Sequence, residues 1–302
     1  MHLTTAQPFA GLEGCVTENA PLKKLTWYRI GGPAKYLVQP RNVEELQEAA
    51  RRCTENNIPV YVLGLGANLL IRDSGVDGAV FRLDHESWRT VTFAAEGTVE
   101  VGAGVDMQKL LLRTCRQGLS GIECLAGIPG TVGGGIRMNA GGKFGDLGTV
   151  IQRVSVMDNE GTVFERHKDD LIFEYRRTNI AARFILGATI ELEPDDPERI
   201  MRRTKEIWFY KRNTQPLNTK NCGCVFKNPR DISAGALIDQ AGLKGFRIGN
   251  AEVSTKHANF IIAHPDCSSE DVMKLIKVIR EKVYERNQIE LETEVQIWPD
   301  AG

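Results

Sequence analysis

Between residues 127 and 148, nine of 22 residues are glycine, in the runs Gly127-Ile-Pro-Gly130-Thr-Val-Gly133-Gly134-Gly135 and Asn139-Ala-Gly141-Gly142. So dense a stretch does not suit the interior of a long helix or strand, where each glycine costs roughly 0.5–1 kcal/mol relative to alanine. It reads as loops whose backbone can approach a ligand closely, with successive N–H groups that bind phosphate without a lysine. A set of tight turns is the plain alternative. A second glycine loop, Gly64-Leu-Gly66-Ala67-Asn68, follows the apolar run Val60-Tyr-Val-Leu63, and binding loops sit where a strand delivers such a turn. Two separate loops favour a large phosphate-bearing ligand. Neither is a familiar nucleotide motif. The third glycine position after Gly64-x-Gly66 holds Leu69, and Gly142-Lys143 is followed by Phe144 with no glycine five residues before Gly142.

At roughly 150 residues per domain, 302 residues suggest about two domains, and 42% hydrophobic with 25% charged residues is globular composition. From Thr26 to about Leu192 short apolar runs alternate with glycine clusters in an α/β manner. Asn42 and Glu45 predict a capping box for a helix with Val43, Leu46, Ala50 and Cys53 on its apolar face. Asp106 caps a second helix carrying Leu110, Leu111 and Cys115 and stopped by Gly118. Val60–Leu63, Ala79–Leu83 and Arg183–Leu192 read as strands, and Ile151–Met157 with Thr162–Phe164 as a hairpin. The texture changes at Glu193-Pro-Asp-Asp-Pro197, which marks a domain boundary. Beyond it Asp196 caps a charged helix with an inner stripe of Ile200, Thr204, Ile207 and Trp208. Ser268 caps another, with Val272, Leu275, Ile276, Ile279 and Val283 at helical spacing. Ile289–Ile297 alternates strictly, so as a strand it places Glu290, Glu292, Glu294 and Gln296 on one face.

Lys+Arg number 38 against 39 Asp+Glu, which excludes a global field for nucleic acid or an anionic membrane. The seven cysteines form no C-x-x-C pair and no dense framework, a pattern of a reducing compartment. Residues 1–22 hold no signal-type apolar run, and about 20 consecutive apolar residues occur nowhere, so a cytoplasmic location is expected. The reactive groups cluster in Asn221-Cys222-Gly223-Cys224-Val-Phe-Lys227-Asn228-Pro229. A C-x-C pair can form a metal corner, but no second Cys/His pair stands at zinc-ligand spacing, and no metal is expected. A lone cysteine is more often a small buried hydrophobe, a reading its polar neighbours weaken. Arg176, after Phe173-Glu-Tyr175, suits a solvated face somewhat better than an anion clamp, and Glu294 reads by default as exposed. One function these groups permit is a thiol hydrolase or transferase, with Cys224 as nucleophile and His257 or His264 as base.

Taken together, six motifs in order from about residue 24 to 298 resemble the UDP-N-acetylenolpyruvoylglucosamine reductases. They are Thr26-Trp-Tyr-Arg-Ile-Gly-Gly32, Leu63-Gly-Leu-Gly-Ala-Asn-Leu69, Gly127-Ile-Pro-Gly-Thr-Val-Gly-Gly134 with Met138-Asn-Ala-Gly141, Tyr175-Arg176, Gly223-Cys-Val-Phe-Lys-Asn-Pro229 and Leu291-Glu-Thr-Glu-Val295. The resemblance implies an α+β fold: a two-part FAD-binding region of the vanillyl-alcohol-oxidase type, then a smaller α/β substrate-binding domain. The corresponding division is an N-terminal extension over 1–25, the FAD region over 26–194 and the substrate domain over 195–302. It implies an NADPH-dependent oxidoreductase, a UDP-N-acetylmuramate dehydrogenase of peptidoglycan precursor synthesis, with non-covalent FAD. In that chemistry NADPH reduces the flavin, which passes hydride to the enolpyruvyl ether of UDP-N-acetylglucosamine, and no nucleic acid, membrane or obligate protein partner is needed. Arg176 and Glu294 would stabilise the charge that develops on the substrate, and Cys224 would give the proton, where serine is the commoner residue. FAD would lie against Leu63, Gly64, Gly66, Ala67, Asn68 and Leu69, and against Pro129, Gly130, Thr131, Gly133, Gly134 and Ala140. Position 67 is alanine where the family often has serine, which removes one side-chain hydrogen bond. Lys211, Arg212, Lys227 and Asn228 would bind the substrate, and short connections around Arg176 and after Pro229 match the subclass without the long tyrosine-bearing substrate loop. Another flavin oxidoreductase of the same superfamily could share the glycine loops, but is not expected to carry Gly223–Pro229 together with Leu291–Val295.

Overall fold

Helices in this chain begin where a short polar side chain meets the first free N–H groups. In the computed structural model, which describes residues 8–229 and 232–299, α1 (Val43–Glu55) starts with Asn42 Oδ1 accepting the Glu45 N–H at 2.9 Å. The reciprocal half of the expected capping box is not made. The Glu45 carboxylate takes the Arg41 N–H and guanidinium instead, because a cation beside it outcompetes the cap amide. At α2 (Met107–Arg116) Asp106 accepts from Gln108 and Lys109, Leu110, Leu111 and Cys115 are buried, and Gly118 at φ +68° ends the run. The glycine triplet is not an open loop: Val132–Arg137 forms the short helix α3, capped by Thr131. Asp196 Oδ1 accepts the Arg199 N–H at 2.9 Å to open α4 (Pro197–Thr214).

The chain divides into two compact units that are discontinuous in sequence: residues 1–20, 35–64 and 77–208, and residues 21–34, 65–76 and 209–302. The first carries a five-stranded antiparallel sheet in the order Val163–His167, Ile151–Met157, Phe184–Glu191, Thr98–Gly102, Val91–Phe93. It also carries a four-stranded sheet in which Val60–Val62 lies parallel to Val76–Phe81, in register Val60 with Ala79. The larger sheet, antiparallel at every pairing, makes this region α+β rather than the α/β alternation its texture suggests. One core joins the sheets to α1 and α2, with the Phe81 and Phe184 rings edge to face at 5.1 Å. The inner stripe of α4 ends before Trp208, which is 38% exposed while Ile200 and Thr204 are buried. Eight residues on from Ile200, Trp208 has rotated about 80° around the helix, to the edge of the apolar face.

Glu123, 8% exposed, accepts the Gly121 N–H at 2.7 Å, the Ser120 hydroxyl at 3.1 Å and the Arg203 guanidinium at 2.8 Å. Burial by itself would raise this carboxyl, but the backbone and Arg203 hydrogen bonds outweigh it and hold it below the ordinary range. A carboxyl depressed in the folded state stabilises fully above its unfolded titration and loses that contribution as pH falls through its lower folded value. Arg203→Met should therefore lower stability near neutral pH, with the deficit shrinking under acid. Urea midpoints of parent and variant from pH 7 down to the acid transition measure this.

The second unit packs α5 (Ala234–Gln240) and α6 (Ser269–Asn287) with a three-stranded antiparallel sheet, Arg247–Ile248, Ala251–Val253 and Ile261–Ala263. Ser268 and Asp271 make a complete capping box, and Val272, Leu275, Ile276, Ile279 and Val283 are buried as their spacing requires. Strand Gln296–Trp298 pairs in parallel with Leu69–Ile71. The continuous strand expected over Ile289–Ile297 is not formed. Thr293 makes a single bridge to Phe226, then the N–H groups of Glu294 and Val295 both reach Val225 O, at 2.8 and 3.3 Å, which breaks the alternation. Glu294 is consequently buried, whereas Glu290 and Glu292 stay exposed and pair with Arg280 and Lys227.

Candidate active site

In the first unit Gly64, where the first glycine loop begins, meets the second glycine loop. A Cβ placed on Gly64 would stand 2.7 Å from Thr131 Oγ1, so only glycine allows this approach. The amides of the second loop are not all free as its composition suggests: Val132 donates to Val105 O, Gly133 to Ala103 O, Gly134 to Thr131 Oγ1 and Gly135 to Thr131 O. Closing the helix uses them. Among the described residues, the N–H groups of Gly64, Gly130 and Thr131 in the first unit donate to no protein acceptor; in the second unit, taken by itself, the same holds for the run Leu65, Gly66, Ala67 and Asn68. Buried backbone donors are nearly always paired, and Gly66 is buried, so this run is shaped for an acceptor from outside the chain. Gly134 is exposed, and a Cβ there would meet nothing closer than Thr131 Oγ1 at 3.4 Å. The residues therefore fit a dinucleotide such as FAD with its pyrophosphate on the loop amides. Leu63, Leu69 and Ala140 are buried, and the Leu63 and Ala140 amides already serve Phe81 O and Gly135 O.

Arg176 sits in the two-residue turn of the hairpin Phe173–Glu174 and Arg177–Thr178, at φ +57°. It is half-buried rather than solvated, with Nη2 donating to Gly141 O at 2.9 Å and its guanidinium 5.0 Å from the Tyr175 ring centroid. The hairpin is docked by Asn139, whose buried side chain donates to Glu174 O at 3.1 Å and accepts the Gly148 N–H at 3.0 Å. Arg137 adds hydrogen bonds to Ile180 O and Ala182 O. Sequence reasoning singled out Arg176 but not Asn139, for which Asn-Ala-Gly after a glycine helix was the signal.

In the second unit Cys224 and Glu294 come together on adjoining segments. Glu294 N donates to Val225 O at 2.8 Å and Lys227 N to Glu292 O at 2.9 Å, which pairs the two stretches residue by residue. Asn68, expected to face cofactor, also gives its side-chain N–H to Glu294 O at 3.2 Å. Cys224 is partly exposed, and its neighbour Cys222 is buried against the Tyr28 hydroxyl. Burial pushes the Cys222 thiol up to about 12, so it stays protonated and unreactive. Lys211 is buried, Arg212 is exposed with its carbonyl capped by the Lys256 ammonium, Lys227 pairs with Glu292, and Asn228 Oδ1 accepts the Ala234 N–H at 2.9 Å. The two histidines are used elsewhere. His264 bonds Glu252 at 2.6 Å, and His257, whose titration burial lowers, packs edge to face on Phe260 and accepts the Asn259 N–H. Among the described residues no group of three or more His, Cys, Asp or Glu could hold a metal ion.

Residues 34–166 match the model of an FAD binding domain, and residues 215–298 that of the C-terminal domain of UDP-N-acetylenolpyruvoylglucosamine reductase. A reductase of that name from Symbiobacterium thermophilum is 41% identical over 94% of this chain and 92% of its own. One from Moorella thermoacetica is 39% identical over 96% of each. The crystal structure of the reductase from Thermus caldophilus superposes with a TM-score of 0.80 at 37% identity, covering 93% of this chain and 98% of that one. Both domains, in order and over nearly full length, are shared with these proteins, and the chain belongs to the UDP-N-acetylenolpyruvoylglucosamine reductase family.

Proposed function

We propose that the protein reduces the enolpyruvyl ether of UDP-N-acetylglucosamine to UDP-N-acetylmuramate with NADPH, a step toward peptidoglycan. The observation that carries this reading is the pairing of the Cys224 and Glu294 segments, which puts a partly exposed thiol and a buried carboxyl on adjoining stretches in a chain whose glycine loops leave a run of amides for an outside acceptor. FAD, when bound, relays the reducing equivalents of NADPH to the enolpyruvyl carbon. The amides of Gly64–Asn68, with the loop from Pro129 to Gly134, would hold its pyrophosphate. Arg176, fixed in its turn, supplies fixed positive charge for the enolate-like state, and Glu294 shares in stabilising it. Cys224 Sγ gives its proton to the neighbouring carbon. Lys211, Arg212, Lys227 and Asn228 are assigned to the substrate, the cations to its diphosphate. The functional division proposed is FAD binding within 26–194 and substrate binding within 195–302, across which the compact units interleave.

His257 and His264 both bond other groups, Asn259 N–H and Glu252, which counts against either as the base of a thiol hydrolase. All seven cysteines are free thiols, which with the soluble nucleotide substrates supports a cytoplasmic location. Among the described residues no helix is long and apolar enough to cross a membrane. The test is the absorbance spectrum of the purified protein: flavin bands that bleach with NADPH and return on adding the enolpyruvyl substrate without oxygen. Bands that bleach and do not return would exclude this substrate.

Gly134→Val probes the cofactor loop. Its Cβ meets only Thr131 Oγ1, at an ordinary contact distance of 3.4 Å, so the fold should persist, but it would hold the backbone away from a pyrophosphate. Flavin occupancy after gel filtration should drop well below that of the parent at an unchanged melting temperature. Full occupancy in a folded variant removes Gly134 from the cofactor site.

A further inference from the structure

A buried asparagine outside every motif above grips the segment that carries the proton donor. Asn259 is 2% exposed, and its side chain satisfies both backbone groups of Phe226: Oδ1 accepts the Phe226 N–H at 2.9 Å and Nδ2 donates to Phe226 O at 2.8 Å. Its own carbonyl accepts the Val225 N–H at 2.8 Å. The side chain thus pairs Phe226 as a neighbouring strand would. On the other side of the same stretch, Val225 O receives Glu294 N and Lys227 N reaches Glu292 O, with Phe226 opposite Thr293. Residues 225–227 are therefore clamped between Asn259 and the stretch 292–294, and the register of that clamp sets where Cys224 stands relative to Glu294.

We propose that Asn259 is a positioning residue for the protonation step: it holds Cys224 in the place from which its thiol reaches the substrate carbon, and touches neither substrate nor flavin itself. The physical argument is one of satisfied hydrogen bonds. A truncated side chain leaves the Phe226 N–H and C=O buried without partners, and the segment relieves that by shifting toward water or toward residues 292–294. Placement errors of about 1 Å at a reacting group cost on the order of a hundredfold in rate. In the proposed reaction the proton is the part that depends on this segment, and reduction of the flavin by NADPH is expected to be independent of it. The inference rests on the function proposed above.

The experiment compares the flavin-loaded parent with Asn259→Ala by stopped flow, following reduction by NADPH and reoxidation by the enolpyruvyl substrate separately, in H2O and D2O. Reduction should proceed at the parental rate. Reoxidation should slow at least tenfold, with a larger solvent isotope effect as proton delivery becomes limiting. Asn259→Ser, whose hydroxyl cannot reach both Phe226 groups, should behave alike and serves if the alanine form does not fold. Equal slowing of both half-reactions, an unchanged isotope effect, parental reoxidation, or loss of fold or flavin in both variants assigns Asn259 to the scaffold and overturns the proposal. Failure of the parent itself to be reoxidised by this substrate overturns the function instead.

Discussion

Cys224→Ala should bleach with NADPH as the parent does and then reoxidise with the enolpyruvyl substrate 10²- to 10⁴-fold more slowly, the range over which a positioned proton donor contributes. Cys224→Ser should stay active, since a hydroxyl on the same Cβ carries a proton to the same place. The two active forms part company with pH. A thiol donates only while protonated, so the parent's reoxidation should fail as pH rises through the thiol's titration, and the serine form should continue beyond that point. Cys222 does not confuse the measurement, because burial holds its thiol up to about 12. Haloacetamide should inactivate the parent by reaction at the partly exposed Cys224, and bound substrate should protect. Single-turnover reoxidation against pH for the three forms decides the matter: an alanine variant at the parental rate removes Cys224 from the reaction and leaves water or another side chain as donor.

The second large effect is expected at Arg176 and Glu294. Arg176→Ala or Glu294→Gln should leave reduction by NADPH nearly unchanged and slow reoxidation about a hundredfold, the loss of roughly 3 kcal/mol that one fixed electrostatic group contributes to a charged transition state. In the proposed reaction both side chains act only once negative charge develops on the substrate, which is why the half-reactions should separate. Arg176 is held by Gly141 O and Glu294 by burial, so neither substitution removes a core contact of the cofactor loops. Equal slowing of both half-reactions points to a defect in folding or flavin retention. A double variant no slower than the worse single one would show that the two stabilise the same charge as a unit.

Much of this was legible along the chain because it is local. Periodicity and caps placed α1, α2, α4 and α6, since a helix start needs only a side chain three residues from an amide, and the 151–167 hairpin follows from alternation about Asp158–Gly161. The motifs supplied the proposed cofactor loops and the three proposed reactive side chains by type and order. Glu294 shows where local pattern stops: perfect alternation over Ile289–Ile297 implied exposure, but burial was decided by Val225 O, about 70 residues distant in sequence, which draws two successive amides and ends the strand. The glycine triplet likewise reads as open loop until Val105 O and Ala103 O, remote in sequence, take its amides and close a helix. Asn139 and Asn259 have no periodicity to betray them, because an asparagine that replaces a strand's hydrogen bonds is identified only by the backbone it faces. What the sequence alone determined is the set of candidate reactive groups and the local elements that carry them. Which of these groups are buried, and which segments hold them in register, only the tertiary structure decided, because burial and hydrogen-bond partners are properties of residues far apart in the chain.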